Sequence, residues 1–135
     1  MIREMMEQYG WKYQIVSGGE SSQAAPLLIS SFTGEDGREY PFLLAEEEET
    51  FSFMATCKRK PASPESELQD FRLLLRMNNE WPFLKLGLNE AQDAFTLSLD
   101  GLIQGCTFQA FKTLLDIFSE AVELFYSSLA ASIEE

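Results

Sequence analysis

Apolar positions along the chain recur with two different periods, and the places where the period changes are marked by glycine or proline. Residues 2–9 (IREMMEQY) are good helix formers with Ile2, Met5, Met6 and Tyr9 at spacings of three and four, and Gly10 stops them. Trp11, Tyr13 and Ile15 then alternate with Lys12, Gln14 and Val16 as far as Ser17-Gly18-Gly19, which predicts a strand closed by a turn. A second strand is predicted over Leu27 to Phe32. Gly34-Glu35-Asp36-Gly37 has the composition of a hairpin turn, and Glu39 to Ala45 returns as the third strand. Phe51, Phe53 and Ala55 alternate with Ser52, Met54 and Thr56, giving a fourth strand or the continuation of the third across an acidic bulge.

The stretch Lys58 to Ser63 breaks the pattern, and Ser63 is placed to cap a helix that begins at Pro64 with Glu65 and Glu67 in its first turn. Leu68, Phe71, Leu74, Leu75 and Asn78 mark one face, and Trp81-Pro82 ends it. Phe83 to Leu88 and Ala94 to Leu99 predict a second hairpin around Asn89 to Asp93, with Asp100-Gly101 turning the chain out of it. The last helix opens at Thr107 and carries Phe108, Phe111, Leu114, Leu115, Phe118, Val122, Phe125 and Leu129 on a broad stripe. The predicted order is α-βββ(β)-α-ββ-α, an α+β fold on an antiparallel sheet, the connections within the first meander being too short for parallel crossovers.

At 135 residues and 45% hydrophobic content, this reads as one globular domain spanning residues 1–135. A net charge of -12 sets the chain against phosphate backbones and anionic lipid, so neither nucleic acid nor membrane is expected as a partner. Histidine is missing, which removes His-dependent triads and most zinc sites. Met1 to Gly10 has no apolar core of signal-peptide length, and runs such as Pro41 to Ala45 and Leu73 to Leu75 fall far below the roughly 20 residues that span a bilayer. A cytoplasmic location is the expectation. Cys57 and Cys106 read as small buried hydrophobes rather than a structural disulfide.

Candidate chemistry is sparse. Glu46 to Glu49 invites comparison with a calcium loop, but the required glycine-punctuated spacing is absent, and a solvated turn or protected sheet edge is the reading. Lys58-Arg59-Lys60 reads as a solvated loop, and Asp70, Asp93, Asp100 and Asp116 as exposed solubility charges. No nucleophile elbow, phosphate-binding loop or paired-cysteine motif is present, so no catalytic residue, metal ligand or cofactor is expected. The helix from Pro64 is different: Leu68, Phe71, Leu73, Leu74, Leu75 and Met77 spread apolar surface beyond what one sheet can cover, which points to an interface.

The stretches LLLRMNNEWPF (Leu73 to Phe83) and KLGLNEAQDAFTLSLDGL (Lys85 to Leu102), followed by TFQAFKTLL from Thr107, resemble the type III secretion chaperone-like superfamily, most of all its YbjN-type bacterial branch. The resemblance covers the topology of the whole chain and the residue pattern of its second half. It implies a compact protomer that forms a homodimer through its middle helix and sheet. Secretion-chaperone relatives bind extended segments of effector proteins along apolar patches, YbjN-type relatives are linked to regulation, and neither branch implies enzyme activity. The Glu46 to Glu49 run departs from the pattern and weakens any transfer of an effector-binding surface to that region.

The expected function is therefore a non-enzymatic, dimeric binding protein of chaperone-like or regulatory type, favouring extended or basic amphipathic segments. Leu74 and Met77, with Leu73 and Asn78, are placed at the dimer or partner interface, and Phe71 and Leu75 toward the sheet; periodicity alone leaves the reverse assignment open. The alternative is a small-ligand sensor with an apolar pocket between the sheet and the final helix, lined by Phe108, Phe111, Phe118 and Trp81.

Overall fold

The computed structural model describes residues 1–17, 27–59, 63–81 and 83–133, with side chains to Leu129. The expected turn at Gly18-Gly19, the breaker at Lys60 to Ala62 and the helix stop at Pro82 lie outside the described residues. The elements run α1 (Ile2–Tyr9), β1 (Tyr13–Ser17), β2 (Leu27–Thr33), β3 (Glu39–Glu46), β4 (Thr50–Lys58), α2 (Pro64–Glu80), β5 (Leu84–Asn89), β6 (Ala94–Leu102) and α3 (Phe108–Ile133). The six strands form one antiparallel sheet in the order β1-β2-β3-β4-β6-β5, which leaves β1 and β5 outermost.

Strand alternation builds the core. One cross-strand row, Ile15↔Leu28↔Leu44↔Phe53↔Leu99↔Leu84, traverses all six strands on the face that the helices cover. Against it α3 lays Phe111, Leu115, Phe118, Ala121, Val122, Phe125 and Leu129, all fully buried. Phe111 meets the rings of Phe51 and Phe53, and Phe118 those of Phe42 and Phe53, each with centroids 5.4–5.6 Å apart. Such contacts add to simple area burial because ring quadrupoles favour tilted and edge-on pairs. Helix α1 ends at Gly10, whose left-handed φ of 92° lets its N–H reach the carbonyls of Met6 and Glu7. It is fastened to α3 where the Tyr9 hydroxyl donates to Asp116, which Lys112 also contacts at 3.3 Å.

Three expectations change, and one open choice is decided. First, Asp100-Gly101 does not turn the chain out: β6 runs on to Leu102, pairing Gly101 with Phe51, because a Cβ at Gly101 would stand 2.5 Å from the Phe51 ring. The glycine serves close approach rather than a turn. Second, the third and fourth strands are separate and joined by a tight acidic hairpin, with Glu47 N–H donating to the Thr50 carbonyl at 2.8 Å. Third, Glu46 is not solvated: it turns inward and accepts from the Met1 amine and the Ile2 N–H, each at 3.0 Å. Fourth, of the four aspartates read as exposed solubility charges, Asp70 is 6% exposed and so buried, while Asp93, Asp100 and Asp116 keep exposed side chains and take partners in Arg59, Lys85 and Tyr9.

The sheet also splits internally. The ladder between β3 and β4 stops at Leu43↔Met54. Bonded pairs alternate along an antiparallel ladder from Glu47 and Thr50, so the next donor owed to Thr56 would come from position 41, and Pro41 has no N–H. The Tyr126 hydroxyl of α3 fills the vacancy, donating to the Thr56 carbonyl at 3.0 Å while its ring stacks on Tyr40.

Candidate partner-binding site

Helix α2 starts where expected. Ser63 adopts an extended backbone and its Oγ accepts the Ser66 N–H at 3.1 Å, with Pro64 in the first turn. Its anchor is Arg59, from the stretch read as a solvated loop. The side chain is only 14% exposed, with Nη2 2.5 Å from Glu67 and Nη1 3.1 Å from Asp93. Its guanidinium lies 5.2 Å from the Phe71 ring and 5.3 Å from Phe95, which themselves pack edge to face. A planar, weakly hydrated guanidinium suits this half-enclosed position between two rings and two carboxylates.

From that anchor α2 runs over β5 at the border of the sheet. Leu74 and Met77 point inward, Met77 with 2% exposure, so they belong to the core rather than to an interface. This corrects the expected orientation, because a side chain already enclosed has nothing left to bury against a partner. Leu75 points outward at 70% exposure, with Leu68 two turns earlier on the same stripe. Leu73 is half-buried and lines a polar cleft of about 440 Å³ between α2 and α3 with Ser66, Gln69, Asp70, Arg72, Arg76 and Ser128. Asn78 is exposed, and its Oδ1 accepts the Leu86 N–H of β5 at 3.3 Å.

Between α2 and β5 an apolar cleft of about 270 Å³ remains, lined by Phe71, Leu74, Leu75, Asn78, Leu86, Gly87, Leu88 and Phe95. It opens beside the outer border of β5, where no further strand pairs among the described residues. Phe83, just ahead of β5, extends an exposed ring and adopts φ of 67°. A bulky residue in the left-handed region costs of order 1–3 kcal/mol and persists only where surrounding structure enforces it. Sequence periodicity could find α2 but not this cleft, which depends on β5 being the last strand.

Two groups in this region, the Cys57 thiol and the Tyr126 phenol, hold their protons more tightly than usual. Burial, then the nearby Asp70 charge, pushes the Cys57 thiol up to about 11, and burial pushes the Tyr126 phenol up to about 12. A protonated thiol is a poor nucleophile and a poor metal ligand at neutral pH. Both cysteines are free thiols. Among the described residues no cluster of three acidic or cysteine side chains is arranged to hold a metal ion, and no helix is long and apolar enough to cross a membrane.

The four residues expected to line a ligand pocket do not come together as one set. Phe111 and Phe118 are sealed in the core by their ring neighbours, Phe108 packs on Tyr9, and Trp81 terminates α2 with its N–H on the Met77 carbonyl. The space between sheet and α3 at Phe111 and Phe118 is filled by Phe42, Phe51 and Phe53.

The model of the YbjN family, described as a putative bacterial sensory transduction regulator, matches residues 1–131. A search of curated proteins finds no match. Among solved structures, an uncharacterized protein from Methanothermobacter thermautotrophicus aligns with TM-score 0.70 at 8% identity, covering 98% of this chain and 96% of that one. YbjN, a putative transcription regulator from E. coli, aligns with TM-score 0.66 at 15% identity over 96% of this chain and 89% of its own. The heterodimeric ExoU-SpcU complex of the type III secretion system of Pseudomonas aeruginosa contributes a chain with TM-score 0.61 at 18% identity, covering 93% and 94%. At these identities the likeness is one of fold, and it matches the α+β architecture expected from sequence.

Proposed function

The chain belongs to the YbjN family, and from that premise we propose that it is a non-enzymatic, cytoplasmic, single-domain protein that acts by contact, as a homodimer holding an extended segment of another protein at the border of β5. The observation that carries this reading is the apolar cleft between α2 and β5, flanked by exposed Leu75 and Leu88 and opening onto a border that no further strand pairs among the described residues. An added strand would bond to the main chain of β5 and place alternate apolar side chains in the cleft. The net charge of -12 favours a basic amphipathic segment and disfavours acidic competitors. The family description and the secretion-complex neighbour support a regulatory or chaperone-like protein-binding role.

Affinity capture from source lysate, run in parallel with parent and a Leu75→Lys, Leu88→Lys variant, tests the reading. It predicts a stoichiometric protein retained by the parent and lost from the folded variant. Equal retention by both proteins contradicts the assignment of the site.

A further inference from the structure

Helices cover one face of the sheet, and among the described residues none lies on the other. On that open face a second row traverses all six strands, Gln14↔Ile29↔Leu43↔Met54↔Ser98↔Lys85. Its centre is aliphatic, with Ile29 at 39% and Met54 at 38% exposure and Leu43 half-buried between them. The flanking positions Leu27, Ala45, Ser52, Thr56 and Thr96 are uncharged. Charge is confined to the rim: Glu39 and Lys58 at one end, Asp100 and Lys85 at the other, the latter two 3.7 Å apart, and Lys12 just before β1. The face is hollowed. A recess of about 930 Å³ lies over β1 to β3, and a smaller one of about 190 Å³ opens where Pro41 splits β3 from β4; both are lined by Ile29 and Pro41.

We propose that this open face is where a second copy of the chain seats, so that two sheets pack face to face with their helices outward. The inference rests on the homodimer in the reading above and adds the surface that forms it. Charge selects the occupant. Two molecules that each carry -12 repel one another, and the repulsion is screened only beyond about 8 Å at physiological ionic strength, so they can approach closely only through a surface whose own charges nearly cancel. On the open face two acids meet three bases at the rim and none stands in the middle. A basic partner would be drawn instead to surfaces with an acidic excess. A two-fold arrangement brings the aliphatic row against its own copy, the self-complementarity that an isologous interface requires, at the roughly 10 Å spacing of packed sheets. The α2–β5 clefts then face away from the contact and stay open to a partner.

Sedimentation velocity on the full chain tests this with four proteins: the parent, Ile29→Lys, Met54→Lys and Leu75→Lys. Each substitution sits at an exposed position and lowers the net negative charge, so lost association cannot come from greater overall repulsion. The parent is expected to be a dimer, the two open-face variants to self-associate at least about tenfold more weakly, and Leu75→Lys to dimerise as the parent does. Circular dichroism matching the parent establishes that the variants are folded. A dimer that survives both open-face substitutions overturns the surface while leaving the homodimer intact. A parent that stays monomeric up to its solubility limit overturns both.

Discussion

Helices α2 and α3 both carry apolar side chains, α3 in much the greater number, and they are used differently. Helix α3 turns a stripe from Phe111 to Leu129 into the centre of the sheet, where all its members but the half-buried Leu114 are fully buried against β3, β4 and β6. Helix α2 buries only Leu74 and Met77 fully among its apolar residues, covers the last strand, and leaves Leu68 and Leu75 in water. The difference lies in what each helix meets: the middle of a sheet offers large inward rings from several strands, whereas its border offers one strand and then solvent. Apolar surface at the border is therefore available for a partner, and α2 is held by a polar anchor at Arg59 where α3 is held by packing.

The largest effect should come from the packed region. Phe118→Ala removes a ring enclosed by Phe42 and Phe53 and is expected to destabilise the fold by about 3–5 kcal/mol, read by urea unfolding. At the border, Arg59→Ala removes two ion pairs and two ring contacts around a side chain that keeps some solvent access. A loss of about 1–2 kcal/mol is expected, with faster amide exchange concentrated in α2. If exchange rises equally in α3, the two helices do not differ as described.

Tyr126→Phe tests the split in the sheet. It leaves the Thr56 carbonyl without the hydroxyl that replaces Pro41's missing donor, at a cost of about 1 kcal/mol. It should also change the response to alkali. Tyr126 is pushed up to about 12 by burial, and Tyr40 to about 12 first by its hydrogen bond to Asp36. Both phenols keep their protons in the fold above pH 10, where an unfolded chain begins to release them. Their contribution is fully present below about pH 10 and is lost as the pH rises to about 12. Thermal unfolding followed through that window should fall less steeply for Tyr126→Phe than for the parent. The smallest effect on stability is expected at Leu75→Lys, within about 0.5 kcal/mol, since a side chain so exposed loses little.

Much of this arrangement was legible in the sequence. The alternation through Phe51 to Ala55, the Ser63-Pro64 start and the aromatic stripe from Phe108 each report a local period, and local periods survive folding. What stayed hidden depends on neighbours distant in sequence. Asp100-Gly101 reads as a turn until the Phe51 ring is seen to need the space a side chain would take. Arg59 reads as a surface charge until Glu67, Asp93, Phe71 and Phe95 close around it. On α2, Leu74 and Leu75 are adjacent and equally apolar, so choosing the inward one requires knowing that Phe71, Leu74 and Met77 share the stripe that meets the sheet. The cleft itself was invisible, because nothing local to Leu84 to Asn89 marks it as the last strand.

The most direct test of the central claim, that the α2–β5 cleft is the contact site, is site-specific photocrosslinking in the source cell with a photoreactive side chain at position 75. The same group at Gln109, exposed on α3, serves as the reference. The account predicts a discrete crosslinked protein from position 75, absent from position 109 and lost when Leu88→Lys is added. Crosslinks that are equal at the two positions, or that survive Leu88→Lys, would contradict it.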